Sequence, residues 1–266
     1  METIKLSKKN YYSNAADWQY MSVSQFKDFQ KCEAAALAKL KETWQPKSDP
    51  TALLVGNYVH SYFESATAHG QFIEENTQAI FKRDGAERAE FVQAIDMIEA
   101  LEYDDFFNFI YQGKKELILT GELFNTEWKA RIDCFNESKG YFVDLKTTRS
   151  LSHRYFSKKY GGYVSFVEEY GYVLQMAVYK QLLEAKYNRE ITPYIFAVTK
   201  ESPPDIAAIE LHPSRFNYEL IMIEQELPHI LQVKYGEVAP EMCGKCEFCR
   251  KHKQITGFIE IENLID

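Results

Sequence analysis

The sequence lacks any apolar run approaching the ~20 residues needed to cross a bilayer, although 45% of its 266 residues are hydrophobic. Its first residues, Met1–Asn10, lack the apolar core of a secretory signal. These two absences lead to the expectation of a cytoplasmic protein with no membrane partner. In that compartment five cysteines do not make a disulfide framework. Internal repeats, low-complexity tracts and linker-like stretches are also missing, so one compact unit over residues 1–266 is expected. Acidic residues are missing from Leu145 to Val167, in a chain whose net charge is −8. The whole-chain sum argues mildly against a nucleic-acid partner. The local stretch argues the other way: it holds Lys146, Arg149, His153, Arg154, Lys158 and Lys159, a candidate phosphate-contacting surface.

What is present suits a folded domain with an aromatic core: 26% charged residues, 18 Tyr and 18 Phe. Residues 1–20 read as an irregular arm. A helix is expected from Ser22, with Gln25 placed as its capping-box partner, to about Leu40, with Cys32 inside it. After a loop with Pro46 and Pro50, a second helix is expected over Thr51–Ala68, with Gly56 and His60 on one face. Phe72–Arg83 has no decisive period. Ala86–Leu101 reads as a third helix, continued briefly over Asp104–Tyr111. Then the period changes. Lys115–Phe124, Ala130–Phe135 and Tyr141–Thr147 read as strands, the last two joined by the polar turn Asn136–Gly140. A helix over Val167–Tyr187 follows the basic loop. Two strands, Thr192–Thr199 and Ile206–Leu211, flank Pro203-Pro204, and Ser214–Tyr235 is a final helix. The order predicts an α/β (α+β) fold: a central mixed sheet flanked by helices, with a helical section (1–112), a core (113–236) and a cysteine-containing tail (237–266).

Three groups of residues carry chemistry. On one strand Asp144 and Lys146 are two apart and leave the same face, and a twisted hairpin can bring Asp133 beside them. Two carboxylates and an ammonium suit a hard cation and an activated water. Gln175 and Tyr179, four apart, share a helix face. Cys243-Gly-Lys-Cys246-Glu-Phe-Cys249 has the spacing of metal thiolates, with Cys32 or His252 available as a fourth ligand. Alternation turns Cys134 away from Asp133 into the core.

Taken together these motifs resemble the RecB-like branch of the PD-(D/E)XK nuclease superfamily. The grounds are Gly56-Asn-Tyr-Val-His60, Asp133, Asp144-Leu-Lys146-Thr-Thr148, Tyr170-Gly-Tyr172 and Gln175-x-x-x-Tyr179. The likeness covers Met21 to Lys253 and is nearest to phage-type RecE-like exonucleases, with lambda exonuclease and the AddB nuclease domain as further relatives. It implies a restriction-endonuclease-like core and a DNA exonuclease serving phage-type recombination or DNA processing in a bacterial host cell. Glu116, Asp133, Asp144, the Leu145 carbonyl and His60 would hold Mg²⁺ (or Mn²⁺). Lys146 would orient or deprotonate water. Gln175 and Tyr179 would position Lys146 or the DNA, and Arg149, Arg154 and Lys158 would contact phosphates. Cys32, Cys243, Cys246 and Cys249 would hold a [4Fe–4S] cluster, although the spacing of the last three departs from many relatives and leaves Zn²⁺ open. Ala130 stands where many relatives carry Gly, and no Pro precedes Asp133. A homo-oligomeric ring and a single-strand annealing protein are the implied partners beside DNA. The rival readings are a structure-specific or restriction-type endonuclease and a non-catalytic DNA-binding recombination accessory protein.

Overall fold

A computed structural model describes residues 3–47, 50–255 and 257–264. The expected irregular arm contains a helix, α1 (Asn14–Gln19), because the Ser13 hydroxyl caps it by accepting from the Ala16 N–H at 3.2 Å. The arm's first two residues, like the last two of the tail, lie outside the described residues. The single helix expected up to Leu40 is two, α2 (Val23–Lys31) and α3 (Glu33–Leu40). Cys32 stands between them in extended backbone, φ −170° and ψ 107°. The helix expected over Thr51–Ala68 also divides, into α4 (Thr51–Glu64) and α5 (Ala66–Glu75). Ser65 is extended and its hydroxyl accepts from the Ala68 N–H at 3.1 Å, so one residue ends the first helix and caps the second.

Phe72–Arg83 passes through the end of α5 and the short α6 (Thr77–Ile80). Then come α7 (Ala89–Glu102) and α8 (Asp105–Ile110), followed by strands β1 (Lys114–Leu123), β2 (Thr126–Asn136) and β3 (Tyr141–Thr148), close to where the sequence periods place them, although β2 begins well before the expected Ala130. The basic stretch is not a plain loop. It folds as an antiparallel hairpin of β4 (Tyr155–Ser157) and β5 (Gly162–Val164). The next helix breaks into α9 (Phe166–Glu169) and α10 (Tyr172–Tyr187) at Gly171, whose φ of 66° suits glycine. The chain continues through β6 (Thr192–Thr199), β7 (Ile206–Glu210), α11 (Ser214–Tyr235) and α12 (Glu247–Lys251).

Two compact units result, Met1–Val23 with Ser48–Gln225, and Ser24–Lys47 with Glu226–Asp266. The first holds a five-stranded sheet in the order β1-β2-β3-β6-β7. Only the β3–β6 pairing is parallel, so the sheet is mixed as expected. On one face α4 packs on β3 and α7 on β6, while α10 packs against β1 and β6. Val55, Tyr58 and Val59 of α4 share a buried core with Val143 and Leu145 of β3 and with Phe91, Met97 and Leu101 of α7. Each such side chain contributes about 1.5–3 kcal/mol on burial, against about 0–1 kcal/mol for an exposed ion pair. Apolar packing therefore fixes α4, and with it the position of His60.

The second unit joins α3 to the chain around α12. The Ala34 N–H donates to the Glu241 carbonyl at 3.0 Å, and Glu33 pairs with His229 at 2.8 Å. Cys32, Ala34 and Cys249 form a small buried cluster in it, and Trp44 meets Phe248 edge-on.

Candidate active site and cysteine centre

Strand register lines up three carboxylates. The β1–β2 pairs Lys115↔Cys134 and Leu117↔Ile132 bracket Glu116 opposite Asp133. The β2–β3 ladder reaches Cys134↔Val143, and the next positions are Asp133 and Asp144. There a side chain takes over from the backbone ladder: the Leu145 N–H donates to Asp133 Oδ2 at 2.8 Å. Strand spacing of about 4.8 Å then puts the three acids in a row. Glu116 has φ 53°, in the left-handed region. That conformation costs a non-glycine residue roughly 1–2 kcal/mol, so the surrounding sheet holds Glu116 against its own preference, as is common at functional sites.

Asp144 and Lys146 do share one face. Lys146 Nζ lies 2.5 Å from Asp144 Oδ2. Gln175 of α10 bridges them, its amide nitrogen donating to Asp144 Oδ1 at 2.6 Å and its carbonyl accepting from Lys146 Nζ at 3.1 Å. The Tyr172 ring lies 4.4 Å from the ammonium. Desolvation acts to lower the Lys146 pKa, but Asp144, Tyr172 and Asp133 outweigh it and the net shift is upward. Burial pushes the Asp144 carboxyl up to about 6 even beside Lys146. Burial and the neighbouring Asp133 push Glu116 up to about 8 despite its ion pair with Arg131. Asp133 is also raised by burial.

His60 reaches this row from α4. Its Nδ1 is 3.3 Å from Asp133 Oδ2, and the Leu145 carbonyl is a hydrogen-bond partner of its ring. Desolvation, reinforced by Lys146, lowers its pKa to about 4, so the imidazole is neutral and has a lone pair to offer near pH 7. One ligand atom each of His60, Glu116 and Asp133 lies within 4.8 Å of the other two. Asp144 Oδ2 is buried, with the Lys146 ammonium as its ion-pair partner. Clustered, desolvated carboxylates and a neutral imidazole are what a divalent cation with oxygen preference would satisfy. The residues fit the implied metal.

Tyr179 is buried and packs on Phe142, ring centroids 6.4 Å apart, with its hydroxyl within electrostatic reach of Asp144 and Asp133, while Gln175 and Tyr172 contact Lys146. Arg149, Arg154 and Lys158 are exposed. The sequence motifs assign no role to two contributors. Arg131 pairs with Glu116 and, at 3.5 Å, with Glu64; its position two before Asp133 on one strand was the available signal. Tyr172, three before Gln175, shares its helix face.

The second unit brings Cys32, Cys243, Cys246 and Cys249 together, with all four sulfurs within 4.8 Å of one another. Cys32 Sγ is 3.5 Å and Cys243 Sγ 3.8 Å from Cys249 Sγ. The extended backbone at Cys32 corrects the mid-helix placement: the residue leaves the helical path and aims its thiol at the other three. His252 instead turns its Nδ1 to the Phe248 carbonyl at 2.8 Å. Burial raises Cys249 to about 12. At Cys243, desolvation is outweighed by the Lys245 and Cys246 backbone N–H groups, which with neighbouring thiols bring it to about 6. Four thiolates on one tetrahedral ion at a bond length of about 2.3 Å stand ~3.8 Å apart. In an iron–sulfur cube each thiolate binds its own iron, and the cluster body separates them further. The observed sulfur spacing is close to that of a single tetrahedral ion.

The family model described as "PDDEXK-like domain of unknown function (DUF3799)" matches residues 22–252. A crystal structure of a protein from Eubacterium rectale, named "Putative exonuclease", is 37% identical, covers 99% of both chains and superposes with a TM-score of 0.91. The solved structure of SSO0001 is 12% identical over 80% of this chain and 90% of its own, with a TM-score of 0.32, too low to inform the site. No curated protein is detectably similar.

Proposed function

Since the chain belongs to the PDDEXK-like family, we propose that it is a divalent-metal-dependent deoxyribonuclease that hydrolyses DNA phosphodiesters as an exonuclease. The observation that carries this reading is the Asp144–Lys146 pair, bridged by Gln175 beside the donors His60, Glu116 and Asp133. Those donors, with Asp144 and the Leu145 carbonyl, would hold Mg²⁺ or Mn²⁺. Such an ion acidifies water and offsets phosphate charge. Lys146 keeps its proton at the site, donates to Gln175, and offers its charge to the phosphate oxygen that gains charge during attack. Gln175 fixes the ammonium's direction. Arg149, Arg154 and Lys158 would hold the flanking backbone by charge.

The name of the 37% identical relative supports the exonuclease over the endonuclease reading. A role in phage-type recombination, a ring-shaped homo-oligomer and a single-strand annealing partner remain part of this reading on the sequence resemblance. The cysteine quartet is assigned one Zn²⁺ ion that ties Cys32 to the Cys243–Cys249 segment and takes no part in hydrolysis. The deciding experiment is digestion of end-labelled linear and closed-circular duplex with Mg²⁺. Stepwise loss from the ends of the linear form alone supports the exonuclease. Cutting of the circle favours the endonuclease, and no hydrolysis of either duplex or of a linear single strand defeats the proposal.

A further inference from the structure

The β4–β5 hairpin presents aromatic rings to solvent beside the site. Phe156 and Tyr163 are cross-strand partners, 62% and 72% exposed, with ring centroids 5.7 Å apart. On the alternate face Tyr155 meets Tyr170, hydroxyl to hydroxyl at 3.0 Å and rings at 5.5 Å. Tyr170, 41% exposed, lies 5.9 Å from Tyr172, whose ring stands 4.4 Å from Lys146 Nζ. Rings therefore lead from the hairpin to the reacting centre. Exposed aromatics of this size on a two-stranded hairpin contribute nothing to a core.

The hairpin is anchored. Lys159 Nζ lies 2.5 Å from Glu219 Oε2, the Tyr160 hydroxyl donates to Glu219 Oε1, and Glu219 is wholly buried. Its anchoring also uses up negative charge: Glu219 is taken by Lys159 and Tyr160, and Glu168 by Arg215. Glu169 stays exposed, but Arg149, Arg154 and Lys158 are exposed too and form no ion pair among the described residues. The local balance is cationic around the exposed Phe156 and Tyr163 rings.

We propose that this hairpin and the Tyr155–Tyr170–Tyr172 series bind an unpaired nucleic-acid strand, stacking its bases and leading its phosphates to Asp144 and Lys146. Basic side chains alone would accept any phosphate backbone, duplex included. Ring faces discriminate, because the bases of a duplex are already stacked on one another and an unpaired base is not. The inference rests on the nuclease reading and narrows its substrate to single strands, overhangs or frayed ends.

The test uses the full chain with Ca²⁺ in place of Mg²⁺, and a single-stranded oligonucleotide carrying 2-aminopurine. Wild type is expected to quench the probe and to bind it more tightly than a blunt duplex of equal length. The Phe156→Ala/Tyr163→Ala double variant is expected to lose at least about fivefold in single-strand affinity, with the salt slope unchanged because no phosphate contact is removed. Both rings are exposed, so folding is not at stake. Unaltered affinity and quenching in the double variant, or tighter binding of blunt duplex by wild type, would overturn the inference. Hydrolysis of bis(4-nitrophenyl) phosphate by wild type with Mn²⁺ tests the nuclease reading separately, since that diester has no strand to thread.

Discussion

Asp144 and Lys146 are joined twice, directly at 2.5 Å and through the two ends of the Gln175 amide. A lysine on a free four-carbon stem has many rotamers. Here one carboxylate, one amide carbonyl and one ring face leave it a single direction, toward the row of acids.

That geometry predicts graded losses. Asp144→Ala and Lys146→Ala should each lower Mg²⁺-dependent release of nucleotides by at least about a hundredfold, with circular dichroism unchanged. Gln175→Ala removes hydrogen bonds to charged groups worth about 1.5–3 kcal/mol and should cost ~10–100-fold in kcat with a smaller effect on KM. Wild-type rates in Lys146→Ala would remove it from the site.

The metal-free protein should lose stability as pH rises. Glu116 is raised to about 8 in the folded chain, from an ordinary value of 4.5, and Asp144 to about 6 from 3.8. Between those limits the folded state binds more protons than the unfolded one, so this contribution is full at low pH and fades as pH climbs through 8. Mg²⁺ must displace those protons. Its stabilising effect should therefore grow from pH 6 to pH 8.5, read as the difference in Tm with and without the ion. A Mg²⁺ effect that shrinks with pH would contradict the ligand set.

Glu116→Gly and Glu116→Ala both delete a donor and should weaken Mn²⁺ binding alike. They should differ in stability. Glycine accepts φ 53° and alanine does not, so the glycine variant should be more stable in metal-free urea unfolding by about 1 kcal/mol. Equal stabilities would mean the backbone relaxes once the carboxylate is gone.

Elemental analysis of anaerobically prepared protein should find one zinc per chain, with no iron and no visible thiolate–iron absorbance. Cys32→Ser, Cys249→Ser or a strong chelator should lower Tm. Iron with acid-labile sulfide in a four-to-one ratio to chain would show that the sulfurs spread to hold a cluster.

Much of this was legible in the sequence. Period-2 and period-3.6 patterns are local, and they placed the strands and long helices, the mixed sheet, and the Asp144–Lys146 face. The errors fell where one residue overrides a period. Ser13 and Ser65 cap helices with a hydroxyl, Gly171 takes a positive φ, and Cys32 is drawn from the helix toward sulfurs more than 200 residues away. The basic loop was read from its charge, yet its rings and short strands made it a hairpin.

By itself, then, the sequence determined most of the elements and which residues could do hydrolytic chemistry, because both follow from spacing along the chain. Only the tertiary structure decided what meets what. It set Glu116 opposite Asp133, paired Glu116 with Arg131, brought His60 in from α4, placed Tyr172 and Gln175 beside Lys146, and brought Cys32, with His252 turned elsewhere, to the other three sulfurs. Those choices depend on strand register and on apolar packing between distant segments, and a local pattern carries neither.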